Sequence, residues 1–156
     1  MIALDIPGRG TYALEHLVLD MNGTIALDGG LLPGVEELLT ALRRRTHTVL
    51  VTANTHGGAE RLRDDLGIEL HVIHPGDEAA QKLEFVKRLG PERTAAVGNG
   101  ANDAAMLAAC ALGICVLGRE GAAADALRKA DLVVTDVRDA LEMLLRPKRI
   151  VATLRR

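Results

Sequence analysis

The sequence predicts an α/β fold built on a mostly parallel sheet. Short apolar runs alternate along the chain with helical patterns of about ten residues, which is the order expected of βαβ units. The apolar runs are continuous, as expected for strands that are buried on both faces. Polar residues directly follow three of these runs, and parallel sheets bind ligands outside the carboxyl ends of their strands. The functional residues are therefore expected along one edge of the sheet.

The first half of the chain begins with a predicted hairpin. Residues 2–6 and 11–20 flank the turn Pro7-Gly8-Arg9-Gly10, which indicates an N-terminal β-hairpin added to the sheet and leading into a buried strand at 16–19. Apolar residues at spacings of three and four after Pro33-Gly34 predict the first helix. The patterns that follow predict a strand at 48–51, a helix at 57–66 that ends at Gly67, and a strand at 70–73.

The second half of the chain continues the alternation. A helix at 77–89 is expected to end at Gly90-Pro91, and Pro147 is expected to break the last helix. The other patterns predict strands at 94–97, 111–116 and 132–134 and helices at 102–110, 119–130 and 136–155. Because no linker, repeat or low-complexity segment intervenes, we expect one domain over residues 1–156 with a Rossmann-like α/β architecture.

Composition narrows the classes of function. The chain has 156 residues, of which 48% are apolar and 26% charged, so it can bury the core of one globular domain. A net charge of −2 and the presence of one Tyr, one Phe and no Trp argue against a nucleic-acid partner. The longest apolar stretch, 104–117, is too short to span a bilayer, and no basic-then-apolar leader opens the sequence. We therefore expect a cytoplasmic protein with no membrane partner.

The three polar segments at the predicted strand ends carry the chemistry. They read Asp20-Met21-Asn22-Gly23-Thr24, Thr52-Ala53-Asn54-Thr55 and Gly98-Asn99-Gly100-Ala101-Asn102-Asp103. A carboxylate can act as a nucleophile toward phosphorus, but positive charge must neutralise the phosphate before it approaches. Oxygens of Asp20, Asn99 and Asp103 suit a Mg²⁺ ion, and Lys82 can supply a second cation. Thr52 and the backbone N–H groups around Gly23 can hold phosphate oxygens.

These residues resemble the motifs of a known superfamily. The string from Asp20 to Thr24 resembles the first motif of the haloacid dehalogenase (HAD) superfamily of phosphohydrolases. Thr52, Lys82 and the segment 98–103 stand where that superfamily has its second, third and fourth motifs. The stretches 104–118 and 130–134 are similar to the phosphorylation domain of P-type ATPases, and most of all to the soluble, stand-alone relatives of that domain.

The resemblance implies a Mg²⁺-dependent phosphatase-type hydrolase that acts on a phosphorylated substrate through an aspartyl-phosphate on Asp20. The catalytic residues that it implies are Asp20, Asn22, Thr52 and Lys82. The substrate-binding residues would be Gly23, Thr24, Thr52, Ala53, Asn54 and Lys82. The metal ligands would be Asp20, the backbone carbonyl of Asn22, Asn99 and Asp103.

Two positions depart from the pattern of the superfamily. Asn22 replaces the aspartate that usually serves as general acid and base, and such help is typically worth about 10² to 10⁴ in rate. Asn99 replaces an aspartate that usually ligates the metal. An enzyme with slow hydrolysis is therefore one interpretation. The alternative is a regulatory protein that keeps the phosphate and metal pocket but turns over little.

The chain has no room for the cap domain that covers the site in many relatives. Only residues 25–34 separate the first motif from the next predicted helix, and no long insertion follows Thr52. An open site suits a large substrate or a neighbouring subunit that covers it, so we expect a homo-oligomer.

Overall fold

The structure is a computed structural model that describes residues 1–53 and 58–156. Its strands are β1 (Ile2–Ile6), β2 (Gly10–Leu14), β3 (His16–Asp20), β4 (Ala26–Leu27), β5 (Gly30–Leu31), β6 (His47–Thr52), β7 (Glu69–Val72), β8 (Thr94–Gly98), β9 (Leu112–Val116) and β10 (Leu132–Val134). Its helices are α1 (Val35–Leu42), α2 (Ala59–Leu66), α3 (Glu78–Leu89), α4 (Ala104–Ala109), α5 (Ala124–Lys129), α6 (Val137–Leu145) and α7 (Lys148–Leu154).

Six of the strands form one parallel sheet in the order β10-β9-β8-β3-β6-β7. The chain builds outward from β3 through β6 and β7 on one side, and then returns to place β8, β9 and β10 on the other. The order therefore reverses between β3 and β8, and a crevice opens at the carboxyl ends of these two strands. The predicted Rossmann-like α/β fold is confirmed, and its switch point falls where the polar segments were expected to meet.

Apolar cores lie on both faces of the sheet, which explains why its strands are continuously apolar. In β3, Leu17 and Leu19 belong to a core that includes Leu39 of α1. Val18, between them, belongs to a second core that includes Val86 of α3. All five side chains are almost completely buried. The central strand is therefore held rigidly from both sides just before Asp20.

The N-terminal hairpin forms as predicted, but the expectation that it joins the sheet is wrong. β1 and β2 pair only with each other, in a separate two-stranded antiparallel sheet. Glu15 ends the hairpin, because its N–H donates to the carbonyl of Arg93 and its carbonyl accepts from the N–H of His47, both at 2.8 Å. These bonds direct the chain into β3, while the apolar face of the hairpin packs into the core near α7.

Two loops differ from the predicted elements. Residues 25–34 hold the small hairpin β4–β5, whose turn has left-handed φ values of 51° at Asp28 and 81° at Gly29. The helix expected at 119–130 begins only at Ala124. A turn between Gly118 and Gly121 replaces its first part, because the N–H of Gly121 donates to the carbonyl of Gly118 at 2.9 Å. Both loops lie beside the crevice.

The remaining predictions differ from the structure by small shifts at element ends. The last helix breaks at Pro147 as expected, so that α6 ends at Leu145 and α7 begins at Lys148. The start of the helix predicted at 57–66 lies partly outside the described residues, and α2 covers the rest of it. Across the described residues, the helices are all too short or too polar to traverse a bilayer.

Candidate active site

The turn after β3 presents Asp20 at the crevice. The N–H of Gly23 donates to the carbonyl of Ala26 at 2.8 Å, and the N–H of Thr24 donates to the carbonyl of Met21 at 3.2 Å. Gly23 has a φ of 77°, and a Cβ there would lie 2.5 Å from the amide nitrogen of Asn99. The backbone N–H groups around Gly23, which were predicted to bind phosphate oxygens, therefore hold the turn together in this structure. Only glycine fits at position 23.

Lys82 lies between two carboxylates at the centre of the site. Its Nζ donates to Oδ1 of Asp20 at 2.7 Å and to Oδ1 of Asp103 at 2.6 Å. The lysine side chain is only 2% exposed, although it belongs to the amphipathic helix α3. An ammonium group is buried in this way only when carboxylates neutralise it. The structure therefore joins three of the predicted site residues, from three different elements, in one ion-pair network.

Burial and charge set the protonation of this network. Burial raises the pKa of Asp20 to about 6, and the nearby charge of Asp103 adds to the shift, while Lys82 and the Thr24 hydroxyl oppose it. Burial lowers the pKa of Lys82, but the two carboxylates outweigh that effect and leave the pKa above its ordinary value. Lys82 is therefore a permanent cation beside a carboxylate that is ionised at neutral pH.

Asp103 fastens the loop after β8. Its Oδ2 accepts hydrogen bonds from the backbone N–H groups of Asn99 at 3.0 Å and Gly100 at 2.9 Å. A Cβ at Gly98 would lie 2.5 Å from the Asp103 carboxyl carbon, so the loop packs directly onto this carboxylate. Both oxygens of Asp103 thus have protein partners already. Its predicted role as a metal ligand stays a prediction, and its visible role is to position Lys82 and the loop.

Thr24 links Asp20 to Asn99. Its hydroxyl donates to Oδ2 of Asp20 at 3.0 Å and lies 3.2 Å from Oδ1 of Asn99. Thr24 is only 1% exposed and Asn99 8% exposed. We expected Thr24 to bind substrate, but in this structure its hydroxyl contacts the proposed nucleophile.

Asn22 contributes a buried oxygen that has no partner. Its Oδ1 is the one buried side-chain nitrogen or oxygen atom without a hydrogen bond among the described residues. An unsatisfied buried acceptor costs about 1 to 3 kcal/mol, so a donor is expected to occupy this place in the working protein. A water of a hydrated cation or a group on the substrate would meet this need.

The side-chain oxygen atoms of the crevice are of the kind that can ligate Mg²⁺. Asp20 Oδ2, Asn99 Oδ1 and Asn22 Oδ1 are hard oxygen atoms of the kind that bind Mg²⁺, and the last of these lacks a partner among the described residues. Ligation by the backbone carbonyl of Asn22 stays a prediction. In the described part of the chain, no three His, Cys, Asp or Glu side chains converge to hold a metal ion. One carboxylate beside two amide oxygens suits Mg²⁺, which usually keeps several waters and takes one or two carboxylates together with phosphate oxygens.

The second strand end supplies the other face of the crevice. Asp20 pairs in register with Val51 of β6, so Thr52, only 4% exposed, lies one residue beyond the level of Asp20 on the neighbouring strand. Ala53 follows β6 directly and is half-buried. Asn54, predicted to bind substrate, lies outside the described residues. The structure thus brings the Thr52 strand end next to Asp20, as the spacing predicted.

The turn after β9 also belongs to the surroundings of the site, although the sequence pattern predicted a helix there. Glu120 lies near Gly23, because a Cβ on that glycine would be 2.5 Å from Glu120 Oε2. Beside it lies a cavity of about 590 Å³, whose lining includes Thr24, Arg119 and Arg138. The polar string Gly118-Arg119-Glu120-Gly121 follows a buried strand, which is the same signal that identified the other three segments.

Comparison with known proteins places this geometry in a family. Residues 4–111 match the model of the haloacid dehalogenase-like hydrolase family. The protein MJ0073 of Methanocaldococcus jannaschii, described as uncharacterized, is 42% identical over 84 residues, which are 51% of this chain and 90% of that protein.

Solved structures share the fold. One is the 3-deoxy-D-manno-octulosonate 8-phosphate phosphatase from Moraxella catarrhalis, in complex with a magnesium ion, a phosphate ion and a KDO molecule. It superposes with a TM-score of 0.70 at 18% identity over 91% of this chain and 94% of its own. The enzyme of the same name from Yersinia pestis has a TM-score of 0.67 at 18% identity over 97% and 96%.

The matched range contains Asp20, Thr52, Lys82, Asn99 and Asp103, which are the side chains that the structure gathers at the switch point of the sheet. The family match thus agrees with the fold and with the position of the crevice. On this evidence the chain belongs to the haloacid dehalogenase-like hydrolase family.

Proposed function

We propose that this protein is a Mg²⁺-dependent phosphohydrolase or phosphotransferase that acts through an aspartyl-phosphate on Asp20. The observation that carries the proposal is the buried Lys82, held at 2.7 Å from Asp20 and at 2.6 Å from Asp103. A buried cation beside a carboxylate neutralises an incoming phosphate and so allows two anions to meet. The relatives of known activity in the comparison are phosphatases, which supports the same reaction class.

In the first step, an Asp20 carboxylate oxygen attacks phosphorus and the bond from phosphorus to the leaving oxygen breaks. Lys82 donates to the carboxylate and offers its charge to the transferred group, and the Thr24 hydroxyl holds Oδ2 of Asp20 in place. Thr52, at the end of the neighbouring strand, would donate to a phosphate oxygen. A bound Mg²⁺ would supply further positive charge to the phosphate oxygens, and the residues that would hold it are Asp20, Asn22, Asn99 and Asp103.

The leaving oxygen must take a proton when it departs. Asn22 cannot supply that proton, because an amide neither gains nor loses one at neutral pH. Solvent must therefore protonate the leaving group, and must also accept the proton of the water that later cleaves the aspartyl-phosphate. We expect transfer to Asp20 to be supported by the intact lysine network and hydrolysis to be slow.

A second function is favoured by Asn22, because its amide has an unpartnered Oδ1 and no proton to exchange with a leaving group or a water. A protein that captures a phosphoryl group but releases it slowly can serve as a regulator whose phosphorylated state persists. The likeness to the phosphorylation domain of P-type ATPases agrees with this alternative and stays a prediction.

The decisive assay is hydrolysis of a generic aryl phosphate with and without Mg²⁺. We expect slow phosphate release that requires Mg²⁺ and is abolished by Asp20→Asn. Asp139→Asn, which removes an acidic group in the first turn of α6, serves as the control and should leave the rate unchanged. Equal rates for the wild type and Asp20→Asn would refute the enzymatic proposal.

A further inference from the structure

Glu120 brings a third carboxylate to the edge of the candidate site. It lies in the turn after β9 that the N–H of Gly121 closes on the carbonyl of Gly118. Glu120 Oε2 and Asn99 Nδ2 each lie 2.5 Å from the position that a Cβ on Gly23 would occupy. Because Gly23 has no side chain, the carboxylate of Glu120 and the amide of Asn99 approach the same point.

Two hydrogen bonds tie the Glu120 turn to Asn99. The side-chain Nδ2 of Asn99 donates to the carbonyl of Gly121 at 3.3 Å. The N–H of Ala123 donates to the backbone carbonyl of Asn99 at 2.8 Å. The turn and Asn99 are therefore held as one unit, and the nearness of Glu120 to Asn99 follows from the backbone as well as from a side-chain rotamer.

The Glu120 carboxylate is not paired with a cation in the part of the chain that the structure describes. In the parts of the chain before residue 54 and after residue 57, Glu120 has neither a hydrogen bond nor an ion pair, and it is exposed to the cavity beside Thr24. A negative charge next to Nδ2 of Asn99 favours the orientation in which Oδ1 faces the opposite way. In the structure that oxygen lies 3.2 Å from the Thr24 hydroxyl, on the side of Asp20.

We propose that Glu120 is a positioning residue of the cation site. It orients the Asn99 amide, and its carboxylate supplies a negative charge near the site in place of the one that is lost because residue 99 is asparagine and not aspartate. The inference rests on the Mg²⁺-dependent function proposed above. Groups that orient a metal ligand fix its direction and tune its strength, so losing one commonly weakens metal binding. Here Glu120 acts on the cation across Asn99 and not by touching the reacting atoms.

Titration of metal-free protein with Mg²⁺ by calorimetry, with no substrate present, tests this role. We expect Glu120→Gln to weaken Mg²⁺ binding about three- to tenfold, the effect of one charge acting across several ångströms of partly hydrated protein. The control Asp125→Asn also removes one exposed carboxylate, on α5, and should bind Mg²⁺ like the wild type. Thermal midpoints of both variants should match the wild type, because both side chains are exposed.

A double-mutant cycle with Asn99→Asp sharpens the test. An aspartate at 99 would face the Glu120 carboxylate, so Asn99→Asp should tighten Mg²⁺ binding more in the Glu120→Gln background than in the wild type. In metal-free protein, the side-chain amide NMR signals of Asn99 should also move in Glu120→Gln and stay in place in Asp125→Asn.

The outcomes separate the two proposals. If the wild type binds Mg²⁺ but Glu120→Gln binds it equally well and the cycle is additive, the role of Glu120 is overturned and the proposed function stands. If the wild type shows no Mg²⁺ binding at all, both proposals fail.

Discussion

The two sides of the candidate site differ in how completely their polar groups are partnered. On the lysine side (Lys82 with Asp20 Oδ1 and Asp103), each charged group has an opposite charge at 2.6 or 2.7 Å. On the asparagine side (Asn22 and Asn99), one buried oxygen has no partner and the other meets only a hydroxyl at 3.2 Å.

We propose that this difference separates capture of a phosphoryl group from its release. In the proposed function the lysine side would neutralise a phosphate and orient Asp20, and each of its charged groups is already paired. On the asparagine side, the superfamily usually has one aspartate that transfers protons and another that ligates the metal. In this chain both positions, Asn22 and Asn99, carry neutral amides. We infer that this chain retains the means to form an aspartyl-phosphate and has reduced means to hydrolyse it.

The largest effect is expected from breaking the lysine side. Lys82→Met leaves two buried carboxylates without their cation, so the free energy of unfolding at neutral pH should fall by about 3 to 5 kcal/mol. Phosphorylation of Asp20 should be lost as well. Lys87→Met, a change in the last turn of the same helix, provides the matched control for chemical denaturation and phosphorylation assays. Equal stability of the two variants would show that the Lys82 network is not needed to hold the site.

A gain of function is expected from restoring the asparagine side. Asn22→Asp introduces a group that can exchange protons, and hydrolysis should accelerate by about 10² to 10⁴. Steady-state phosphate release measures this gain. The double variant Asp20→Asn with Asn22→Asp should be inactive, because the added acid has no nucleophile to serve. If Asn22→Asp leaves the rate unchanged, proton transfer does not limit turnover.

The protonation of Asp20 gives a smaller, graded effect. Its pKa is raised to about 6 by burial and by Asp103, so in metal-free protein the carboxylate is lost as the pH falls through 6. Below that value the ionised fraction of Asp20 in metal-free protein should fall about tenfold per pH unit. Carbon-13 NMR of the carboxyl group measures the midpoint. A midpoint near the ordinary aspartate value of about 4 would show that burial and Asp103 do not raise the pKa of Asp20.

The same shift has a consequence for stability. The folded protein binds this proton more tightly than the unfolded chain does, so ionisation of Asp20 destabilises the fold as the pH rises from about 4 to about 6. Asp20→Asn removes the ionisable group. The variant should therefore become more stable relative to the wild type across this pH range, as denaturant titrations at several pH values would show.

The smallest effect is expected outside both sides of the site. Asp136 caps α6, because its Oδ1 accepts from the N–H of Arg138 at 2.9 Å. Asp136→Ala should cost about 0.5 to 2 kcal/mol of stability and leave phosphorylation unchanged. The hydrogen bond from Arg138 lowers the pKa of Asp136, so its contribution is present above the unfolded value and is lost as the pH falls through the lowered one. An effect on phosphorylation would mean that α6 takes part in the site.

Local patterns were sufficient to predict the main sheet and the residues at its switch point. Strands such as β3 and β8 are apolar on both faces and end in polar segments, so periodicity and position both point to the crevice. The β4–β5 hairpin was missed although its Asp28-Gly29 pair is a strong turn signal, because the two flanking strands are only two residues each.

Long-range contacts account for what the sequence could not reveal. Nothing in the amphipathic pattern of α3 says that Lys82 is buried between Asp20 and Asp103, since 62 and 21 residues separate it from these partners. The hairpin lies outside the main sheet, and the chain enters that sheet at Glu15, through backbone hydrogen bonds to Arg93 and His47. These two residues are also distant from Glu15 in sequence. The helix expected at 119 starts late because Ala123 bonds to Asn99.

The most direct test of the central claim is rapid acid quenching during reaction with an aryl phosphate and Mg²⁺, followed by intact-mass measurement of the protein. Wild-type protein should accumulate close to one phosphoryl group per chain, on Asp20, and Asn22→Asp should accumulate much less because it hydrolyses the intermediate faster. Absence of phosphoprotein in the wild type, or equal accumulation in Asn22→Asp, would contradict the separation of capture from release.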